Sequence, residues 1–467
     1  MALKTYEIPY FVGLNQASDE NRLDAVYSPD AVNMSTDGGA LKVAAGFEKY
    51  IGSKLPGNAK IDLLTCMRTP DGDIPVAISG GRLYIQQQDG WTLKYTYPSA
   101  GKAKYDAALV KIDTSDYLVI ADGRGQMIKL GDEATPFGSA AGCSDIPVSY
   151  LTVYRGRLFS AGDAQNPNRL YYSVLPGGGR TVEDWGYVEA SPSVEGGFVE
   201  VGASSGDAIV AIKALSNQLL IFKKHGLYRL IGDRPSNFTI EHIDANVPKT
   251  HSGAIALYGD TLYFVTQDGL YYYNGVTARP CPDMRCIRRY MSEADIDGCR
   301  AVTVRDKLYF TYRRGGEDEM MVYDLTERKY MRRNGFEIDC IADMDGRLLL
   351  INRTRRLYEF EKGDTYDGNP IEAYWCTPLT DLGDKASIKA LKMLFMRARG
   401  DGITIETELD GIKNTTRVRL DEVSRVKEVP LFNEGRVMRI KLSNLRGGFF
   451  ALEGGVETEL GIRRRTE

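Results

Sequence analysis

The residues most often used for catalysis and metal binding are few in this sequence. Its three histidines are His225, His242 and His251. No two of them have the one-turn spacing of paired histidine ligands on a helix. Members of a Ser–His–Asp triad can lie far apart in a sequence, but no Gly-x-Ser-x-Gly motif marks a nucleophilic serine. We therefore interpret all three histidines as structural or surface residues.

The cysteines do not form a zinc or disulfide pattern. Cys281 and Cys286 are separated by four residues, which is too many for a Cys-x-x-Cys pair, and no second pair completes a zinc set. The seven cysteines are odd in number and irregularly spaced, at positions 66, 143, 281, 286, 299, 340 and 376. We expect free, mostly buried thiols and synthesis in a reducing cytoplasm. The sequence thus offers no residue that we would assign to catalysis, cofactor binding or metal binding.

Glycine-rich and Asp-Gly stretches point to turns. PGGGR (176–180) and RRGGED (313–318) lack the spacing of phosphate-binding loops. Asp-Gly is a leading two-residue hairpin turn, and no Asp-x-Asp-x-Asp-Gly calcium loop is present. Hairpin turns are therefore expected at five of the Asp-Gly pairs, Asp71-Gly72, Asp89-Gly90, Asp268-Gly269, Asp345-Gly346 and Asp410-Gly411.

A glycan-directed function stays open as an alternative. Glycoside hydrolysis needs two carboxyl groups at about 5–9 Å, and 63 acidic residues give the sequence no way to locate such a pair. Most aromatic residues lie in strand-like stretches with apolar neighbours, which favours packing over sugar stacking. Glycan binding and turnover of chromogenic glycosides separate this alternative from a structural role.

Composition argues for a folded protein that does not hold nucleic acid on a basic surface. The 467 residues carry a formal net charge of −4, whereas phosphate binding needs clustered Lys and Arg. The longest basic run, Arg463 to Arg465, is interpreted as a solvated tail. The first residues lack the pattern of a signal peptide, and no apolar run approaches the ~20 residues of a membrane helix.

A repeated strand–turn–strand unit predicts the fold. Each copy has a leucine followed by an aromatic or aliphatic residue, at Leu83, Leu118, Leu158, Leu219, Leu262, Leu308 and Leu348. Most copies lie about 40 residues apart, the length of a four-stranded propeller blade, and a glycine-containing insertion explains the long interval after Leu158. One such sheet cannot bury both faces alone. We predict an all-β protein with a β-propeller of about seven blades over 51–366; six or eight blades, or several independent sandwich or meander domains, are the alternatives.

The two ends of the sequence differ from the repeats. Residues 1–50 are predicted to form an extended N-terminal arm and a first strand, and residues 367–467 a β-sandwich of six strands. In the latter, Ile403 and Ile405 alternate with Thr404 and Glu406, which is typical of a half-buried strand. Helix is expected only in PDMRCIRRYMSEADI (282–296) and as a turn near the N-terminus.

Several stretches of the sequence, taken together, resemble the β-propeller tail proteins of bacteriophages, especially the tail nozzle and stabilisation (hub) proteins of short-tailed phages. The N-terminal stretch PYFVGLNQASDENRLDAVYSPDAVNMSTDGGALKVAAGFEKY is similar to their opening. NRLYYS (168–173) followed by Trp185 resembles their third blade. LLIFKKHGLYRLIGD (219–233) and VTQDGLYYYNG (265–275) resemble their central blades. Each motif alone is loose, so their order and combination carry the resemblance.

The resemblance implies a structural part of a virion tail without catalysis. Such proteins form closed homo-oligomeric rings, often six-fold, around a channel through which double-stranded DNA passes without specific binding. They dock the portal, the adaptor and other tail proteins, and they assemble in the cytoplasm of the host bacterium. The resemblance implies neither a cofactor nor a membrane anchor. The N-terminal arm and the C-terminal sandwich are expected to make the subunit contacts.

Overall fold

The computed structural model describes residues 2–17, 19–98, 103–138, 146–185, 195–202, 206–244 and 247–464. Strands make up nearly all of its regular structure, so the all-β prediction is confirmed. One short helix, α1 (Arg288–Ser292), follows a 3₁₀ turn at Met284–Ile287, in the stretch where helix was expected. Further 3₁₀ turns lie at Glu20–Arg22, Asp37–Gly39, Pro235–Asn237 and Ser252–Ala254. Among the described residues, no helix is long and apolar enough to span a membrane.

Five short strands precede the repeats. They are β1 (Ala2–Ile8), β2 (Ala31–Val32), β3 (Met34–Ser35), β4 (Leu41–Val43) and β5 (Phe47–Lys49).

The repeats form seven antiparallel sheets within the described residues. Sheet 1 contains β6 (Ile61–Thr69), β7 (Gly72–Ser79), β8 (Arg82–Gln87) and β9 (Gly90–Thr96), and sheet 2 contains β10 (Asp106–Ile112), β11 (Ser115–Ala121), β12 (Ile128–Leu130) and β13 (Ala134–Pro136). Sheet 3 contains β14 (Tyr150–Tyr154), β15 (Arg157–Ala161), β16 (Arg169–Tyr172) and β17 (Gly197–Glu200), and sheet 4 contains β18 (Ile209–Leu215), β19 (Gln218–Lys223), β20 (Gly226–Ile231) and β21 (Thr239–Asp244).

The remaining three sheets follow the same order along the chain. Sheet 5 contains β22 (Ile255–Tyr258), β23 (Thr261–Thr266), β24 (Gly269–Tyr273) and β25 (Ala278–Pro280). Sheet 6 contains β26 (Ala294–Asp295), β27 (Ala301–Val304), β28 (Lys307–Arg314), β29 (Glu317–Asp324) and β30 (Lys329–Arg333). Sheet 7 contains β31 (Cys340–Met344), β32 (Arg347–Ile351), β33 (Leu357–Phe360) and the N-terminal strand β5.

The leucine markers fall on equivalent strands with one exception. From Leu118 onward, each marker lies on the second strand in the hydrogen-bonded order of its sheet, which in sheet 6 is β28, preceded along the chain by β26 and β27. Leu83 instead lies on β8, the third strand of sheet 1. Because Leu83 lies one strand later in its sheet than Leu118 does in sheet 2, the interval between these two markers is short.

Asp-Gly turns connect the strands of several hairpins. All five of the Asp-Gly pairs predicted to form hairpin turns lie between consecutive antiparallel strands. At Asp345-Gly346 and Asp410-Gly411 both residues have a positive φ. That conformation is typical of the tight turn whose twist matches a hairpin, and it favours Asp and Gly over branched residues.

Each sheet packs against the next through buried apolar side chains. Sheets 1 and 2, 2 and 3, 3 and 4, and 4 and 5 each share their own buried cluster. Sheets 5, 6 and 7 share a larger one. Leu64 and Ala77 of sheet 1 pack with Leu349 and Ile351 of sheet 7, so the last sheet also contacts the first. Each sheet therefore buries both faces although no single sheet has a core of its own.

The C-terminal part forms two larger sheets. Its strands are β34 (Tyr374–Cys376), β35 (Ser387–Gly400), β36 (Gly402–Leu409), β37 (Ile412–Arg419), β38 (Arg425–Gly435), β39 (Met438–Asn444) and β40 (Phe450–Arg464). Sheet 8 has the order β3-β4-β40-β35-β38, with β1 also paired to β40, and sheet 9 has the order β2-β34-β39-β36-β37. The two sheets share a core that includes Trp375, Leu394, Ile403 and Ile405. The alternation predicted at Ile403 and Ile405 is confirmed, since both side chains are fully buried.

One C-terminal strand was missed in the sequence. The structure has seven strands after residue 367, and the prediction of six omitted β38. Its inward side chains Val429 and Leu431 are buried, but Val426 and Phe432 on the other side are apolar too. That outward apolar character hides the alternation by which a half-buried strand is recognised.

The N-terminal segment is not the extended arm that was expected for residues 1–50. Strand β1 pairs with β40 from Ala2↔Ile462 to Ile8↔Val456, and β2, β3 and β4 join sheets 9 and 8. Strand β5 pairs with β33, with Phe47 opposite Phe360, so it completes sheet 7 and not sheet 1. Pairing satisfies backbone groups that would otherwise be left at open sheet edges. The boundaries after residues 50 and 366 stay predictions.

Gly46, next to β5, has no room for a side chain. A Cβ there would overlap the backbone carbonyl of Thr365. We expect Gly46→Ala to lower the free energy of unfolding by about 1–3 kcal/mol through overpacking, measured by urea unfolding. Gly125→Ala is the matched control, because nothing lies within 4 Å of the added methyl group. Equal stability of the two variants would contradict the close packing of β5.

Candidate functional site

The three histidines have separate structural partners. His225 is exposed in the turn between β19 and β20, and its Nδ1 lies 2.9 Å from Asp207 Oδ2. The ring of His242 stacks on Tyr228 with centroids 4.6 Å apart. Nε2 of His251 lies 3.2 Å from the carbonyl oxygen of Ile296. In the part of the chain that the structure describes, no cluster of His, Cys, Asp and Glu has the arrangement of a metal site.

The described cysteines are free and at least partly buried, as predicted. Burial raises the pKa of Cys66 and Cys376 to about 12 and that of Cys286 to about 11. At neutral pH these thiols stay protonated, which disfavours nucleophilic reactivity because the thiolate is the reactive form. Cys143 lies outside the described residues.

The glycine-rich stretches form turns. Gly315 and Gly316 lie in the hairpin between β28 and β29 with positive φ angles. In PGGGR, the backbones of Gly177 and Arg180 exchange hydrogen bonds of 3.0 Å. Part of the insertion that follows lies outside the described residues.

The outer side of sheet 8 presents acidic and apolar side chains together. Tyr6, Thr458, Leu394 and Val429 form one cross-strand row and are all buried against the core. Side chains alternate along a strand, so the rows on either side of it face outward. One outer row consists of Glu7, Glu457, Phe395 and Glu428, and the other of Thr5, Glu459, Met393 and Pro430. We call these two rows the acidic face.

Exposed apolar side chains extend the acidic face at both ends. Leu3 on β1 is 67% exposed, and Val426 and Phe432 on β38 are 66% and 77% exposed. Phe395 and Met393 between them are only partly buried. The face therefore has apolar side chains bordered by glutamates, and exposed apolar side chains of this kind are common at surfaces that bind other proteins.

The glutamates of the acidic face lie close together, and the nearby Arg397, two residues after Phe395 on β35, is bound by Glu453. Glu7 lies directly opposite Glu457, and like charges in that position are destabilising. Among the described side chains, none of Glu7, Glu428, Glu457 and Glu459 forms an ion pair. A bound cationic surface would remove this repulsion.

Two unpaired strand edges lie beside the acidic face. Strand β38 ends sheet 8 and β37 ends sheet 9. Side-chain amides join them, since Asn414 donates to the carbonyl of Phe432 at 2.7 Å and Asn433 donates to that of Ile412 at 3.0 Å. Open strand edges are themselves common sites of protein association.

A cleft lies where sheet 6, α1 and sheet 9 meet. This junction cleft has a volume of about 860 Å³. The buried guanidinium of Arg332 donates to Glu319 Oε1 at 2.9 Å and to Asp30 Oδ1 at 3.0 Å. The hydroxyl groups of Tyr290 and Tyr374 also donate to Asp30, at 2.8 and 2.9 Å. We call these five residues the junction clamp.

The junction clamp has the geometry of a structural tie. It joins the N-terminal segment through Asp30, sheet 6 through Glu319 and Arg332, and sheet 9 through Tyr374. Burial raises the pKa of Tyr290 and Tyr374, so both phenols stay donors at neutral pH. Arg332 forms an ion pair with each of the two carboxyl groups, so both are held in structural contacts.

His251 gives the fold a dependence on pH. Burial is the main cause that lowers its pKa, and the nearby Arg300 and Lys249 act in the same direction, against the Ile296 carbonyl and Asp297. At pH values near and below the ordinary histidine pKa, His251 binds a proton more readily in the unfolded chain than in the folded protein. The free energy of unfolding therefore falls as the pH drops from about 7.5 to about 5.5. We expect His251→Gln to show a smaller fall in urea unfolding; a fall equal to that of the wild type would contradict this.

Sequence reasoning found neither the acidic face nor the junction clamp. The alternation of Glu457 and Glu459 with apolar residues in β40 was a local signal of outward-facing glutamates. That Glu7 lies opposite Glu457 depends on the pairing of the first strand with the last.

The chain matches no family model and no curated protein. Among solved structures, it is similar to the extracellular domain of a hybrid two-component system from B. thetaiotaomicron, with a TM-score of 0.46 and 13% identity over 68% of this chain. The match spans 39% of that protein's chain. It is also similar to the computationally designed Ika8 protein, with a TM-score of 0.41 and 9% identity over 67% of this chain and 99% of the other. Both TM-scores lie below 0.5, and neither similarity indicates a function.

Proposed function

We propose that this chain is a non-enzymatic structural component of a bacteriophage virion tail, as a nozzle, hub or stabilisation ring. In this role it forms part of the conduit for DNA ejection and docks other tail proteins. The observation that carries the proposal is the acidic face, where apolar side chains are bordered by unneutralised glutamates on the outer side of sheet 8. Such a surface suits permanent contact with another protein.

The fold that belongs to this proposal is a seven-bladed β-propeller with an appended β-sandwich. The buried clusters between successive sheets and between sheets 7 and 1 support a circular arrangement of blades. Arg300, next to sheet 6, adds support because it donates to the backbone carbonyl of Asp62 in sheet 1 at 2.9 Å. Strand β5 then completes the last blade, and sheets 8 and 9 are the two layers of the sandwich.

The proposed partners are other copies of the chain, the portal or adaptor, and further tail proteins. A ring of copies, six-fold in the families that the sequence resembles, encloses a lumen through which double-stranded DNA slides. The net charge of −4 suits such a lumen, because an acidic wall does not hold phosphates. The proposed location is the virion tail, after assembly in the cytoplasm of the host bacterium.

The assembly state of the purified chain tests this function. Light scattering coupled to size exclusion should give a mass several times 51.9 kDa, and negative-stain microscopy should show closed rings. Antibodies against the chain should label tails in purified virions. A chain that stays monomeric at high concentration and is absent from virions would overturn the proposal.

The alternative is a glycan-binding protein or glycoside hydrolase that would use the junction cleft. The specific observation in its favour is that this cleft combines carboxylates with Tyr290 and Tyr374. A glycan array and a panel of chromogenic glycosides test it. Binding or turnover that Tyr374→Ala abolishes would favour the alternative, and the absence of both would remove it.

A further inference from the structure

We propose that the acidic face of one copy of the chain binds the outward-facing side chains of β37, the last strand of sheet 9, in a second copy. We call these side chains the β37 edge. This inference rests on the self-association in the proposed function, and it names the two surfaces that meet. The acidic face supplies Glu457 and Glu459 at its centre, and the β37 edge supplies Arg417 and Arg419.

The β37 edge carries two arginines with no acid directly across from them, and Glu406, the acid in the next row, is bound by Lys413. Arg417 lies opposite Thr404 and Arg419 lies opposite Gly402, so neither has a charged cross-strand neighbour on β36. Both arginines are exposed, and neither forms an ion pair among the described side chains. Lys413 on the same strand differs, because its Nζ lies 2.9 Å from Glu406 Oε1. The two arginines are thus available to an acidic surface.

The spacing of the charges matches on the two surfaces. Arg417 and Arg419 are two residues apart on one strand, as are Glu457 and Glu459, so in each pair the side chains project from the same side about 7 Å apart. A strand laid along the acidic face can therefore form two arginine–carboxylate contacts at once. Glu7 and Glu428 lie on either side of Glu457 and add to the negative potential at the contact.

Apolar contacts accompany the charges. Val423, in the turn after β37, is 67% exposed. On the acidic face, Phe395 lies between Glu457 and Glu428, and the exposed Phe432 lies farther along β38. These apolar side chains add buried apolar area beside the charged contacts.

The placement of the two surfaces determines the kind of assembly. The acidic face belongs to the outer side of sheet 8, and the β37 edge belongs to sheet 9. Each copy therefore offers one surface and receives the other, and the contact is heterologous when it runs head to tail and is not exchanged between two copies about a two-fold axis. Such contacts close into a ring when the rotation between copies allows it and otherwise continue as a filament.

Two charge-reversal variants test the contact. The first carries Glu457→Arg and Glu459→Arg, and the second carries Arg417→Glu and Arg419→Glu. Each alone places like charges at every contact, so self-association should weaken at least tenfold in mass photometry. Mixing the two should restore assembly, because alternating copies then have opposite charges at both kinds of contact. Circular dichroism and thermal unfolding check that each variant is folded.

A third variant controls for the change in net charge. Glu337→Arg with Asp364→Arg alters two exposed acids outside both surfaces and should assemble like the wild type. If both reversal variants also assemble like the wild type, the inference is overturned while the proposed function stands. If both fail and their mixture also fails, the pairing of these two surfaces is overturned. If the wild type itself stays monomeric, the inference falls, and absence from virions then removes the proposed function as well.

Discussion

Replacing Arg332 with methionine is expected to lower the free energy of unfolding by about 2–4 kcal/mol through the loss of several charge-assisted hydrogen bonds. Arg332 is almost fully buried and contacts Glu319, which is buried as well, and Asp30. Methionine keeps most of the side-chain volume but removes the buried hydrogen bonds of Arg332 to Glu319 and Asp30, while Arg314 still binds Glu319 at 2.8 Å. Hydrogen bonds between charged groups at a buried site contribute more to stability than an exposed ion pair does. Urea unfolding at neutral pH measures the effect.

Arg463→Met is the matched control for this prediction. Arg463 also binds a carboxylate, with its Nη2 2.8 Å from Glu434 Oε1, but both side chains are more than half exposed. We expect a loss below about 1 kcal/mol there, since solvent screens the pair. If the two methionine variants lose similar stability, the junction clamp does not tie the N-terminal segment to sheet 6.

Replacing Phe47 with alanine is expected to cost about 3–5 kcal/mol of stability. Phe47 is buried on β5, and its ring lies 4.9 Å from that of Tyr366 and 4.6 Å from that of Tyr358, between centroids. It is the main apolar anchor that holds the N-terminal segment in sheet 7. Removing the ring leaves a cavity among aromatic side chains that are themselves fixed by the sheet. Thermal and urea unfolding both report the loss.

Phe432→Ala removes the same group from an exposed position and serves as the control. Its side chain is 77% exposed, so the stability of the isolated chain should change by no more than about 0.5 kcal/mol. Self-association should weaken, because Phe432 adds to the apolar side chains of the acidic face. An effect on stability as large as that of Phe47→Ala would contradict the placement of both rings.

The two features found in the structure depend on each other. The acidic face takes Glu7 from the first strand and Glu457 and Glu459 from the last, so it exists only when β1 is paired with β40. Later parts of the N-terminal segment are held in place by Asp30 in the junction clamp and by the pairing of β5 with β33. A substitution in the junction clamp is therefore expected to weaken assembly indirectly, together with stability, whereas charge reversal on the acidic face is expected to weaken assembly without lowering stability. Comparing the loss of stability with the loss of self-association therefore distinguishes variants that disturb the fold from variants that disturb the contact between copies.

The sequence by itself determined the local elements of this protein. The Asp-Gly turns, the alternation at Ile403 and Ile405, and the short helical stretch near Met284 were all predictable, because each depends on residues a few positions apart. The repeated units were recognisable for the same reason, since one hairpin-linked sheet is encoded within about 40 residues.

Only the tertiary structure decided where the N-terminal segment goes and which charged groups meet. Ser28 Oγ donates to the carbonyl of Cys376 at 2.7 Å, and Arg332 contacts Asp30, across separations of 348 and 302 residues. Nothing local in Asp30 or Glu7 distinguishes them from the other acidic residues of the chain. Their partners are set by strand register and by the need to pair open sheet edges, which are properties of the whole fold.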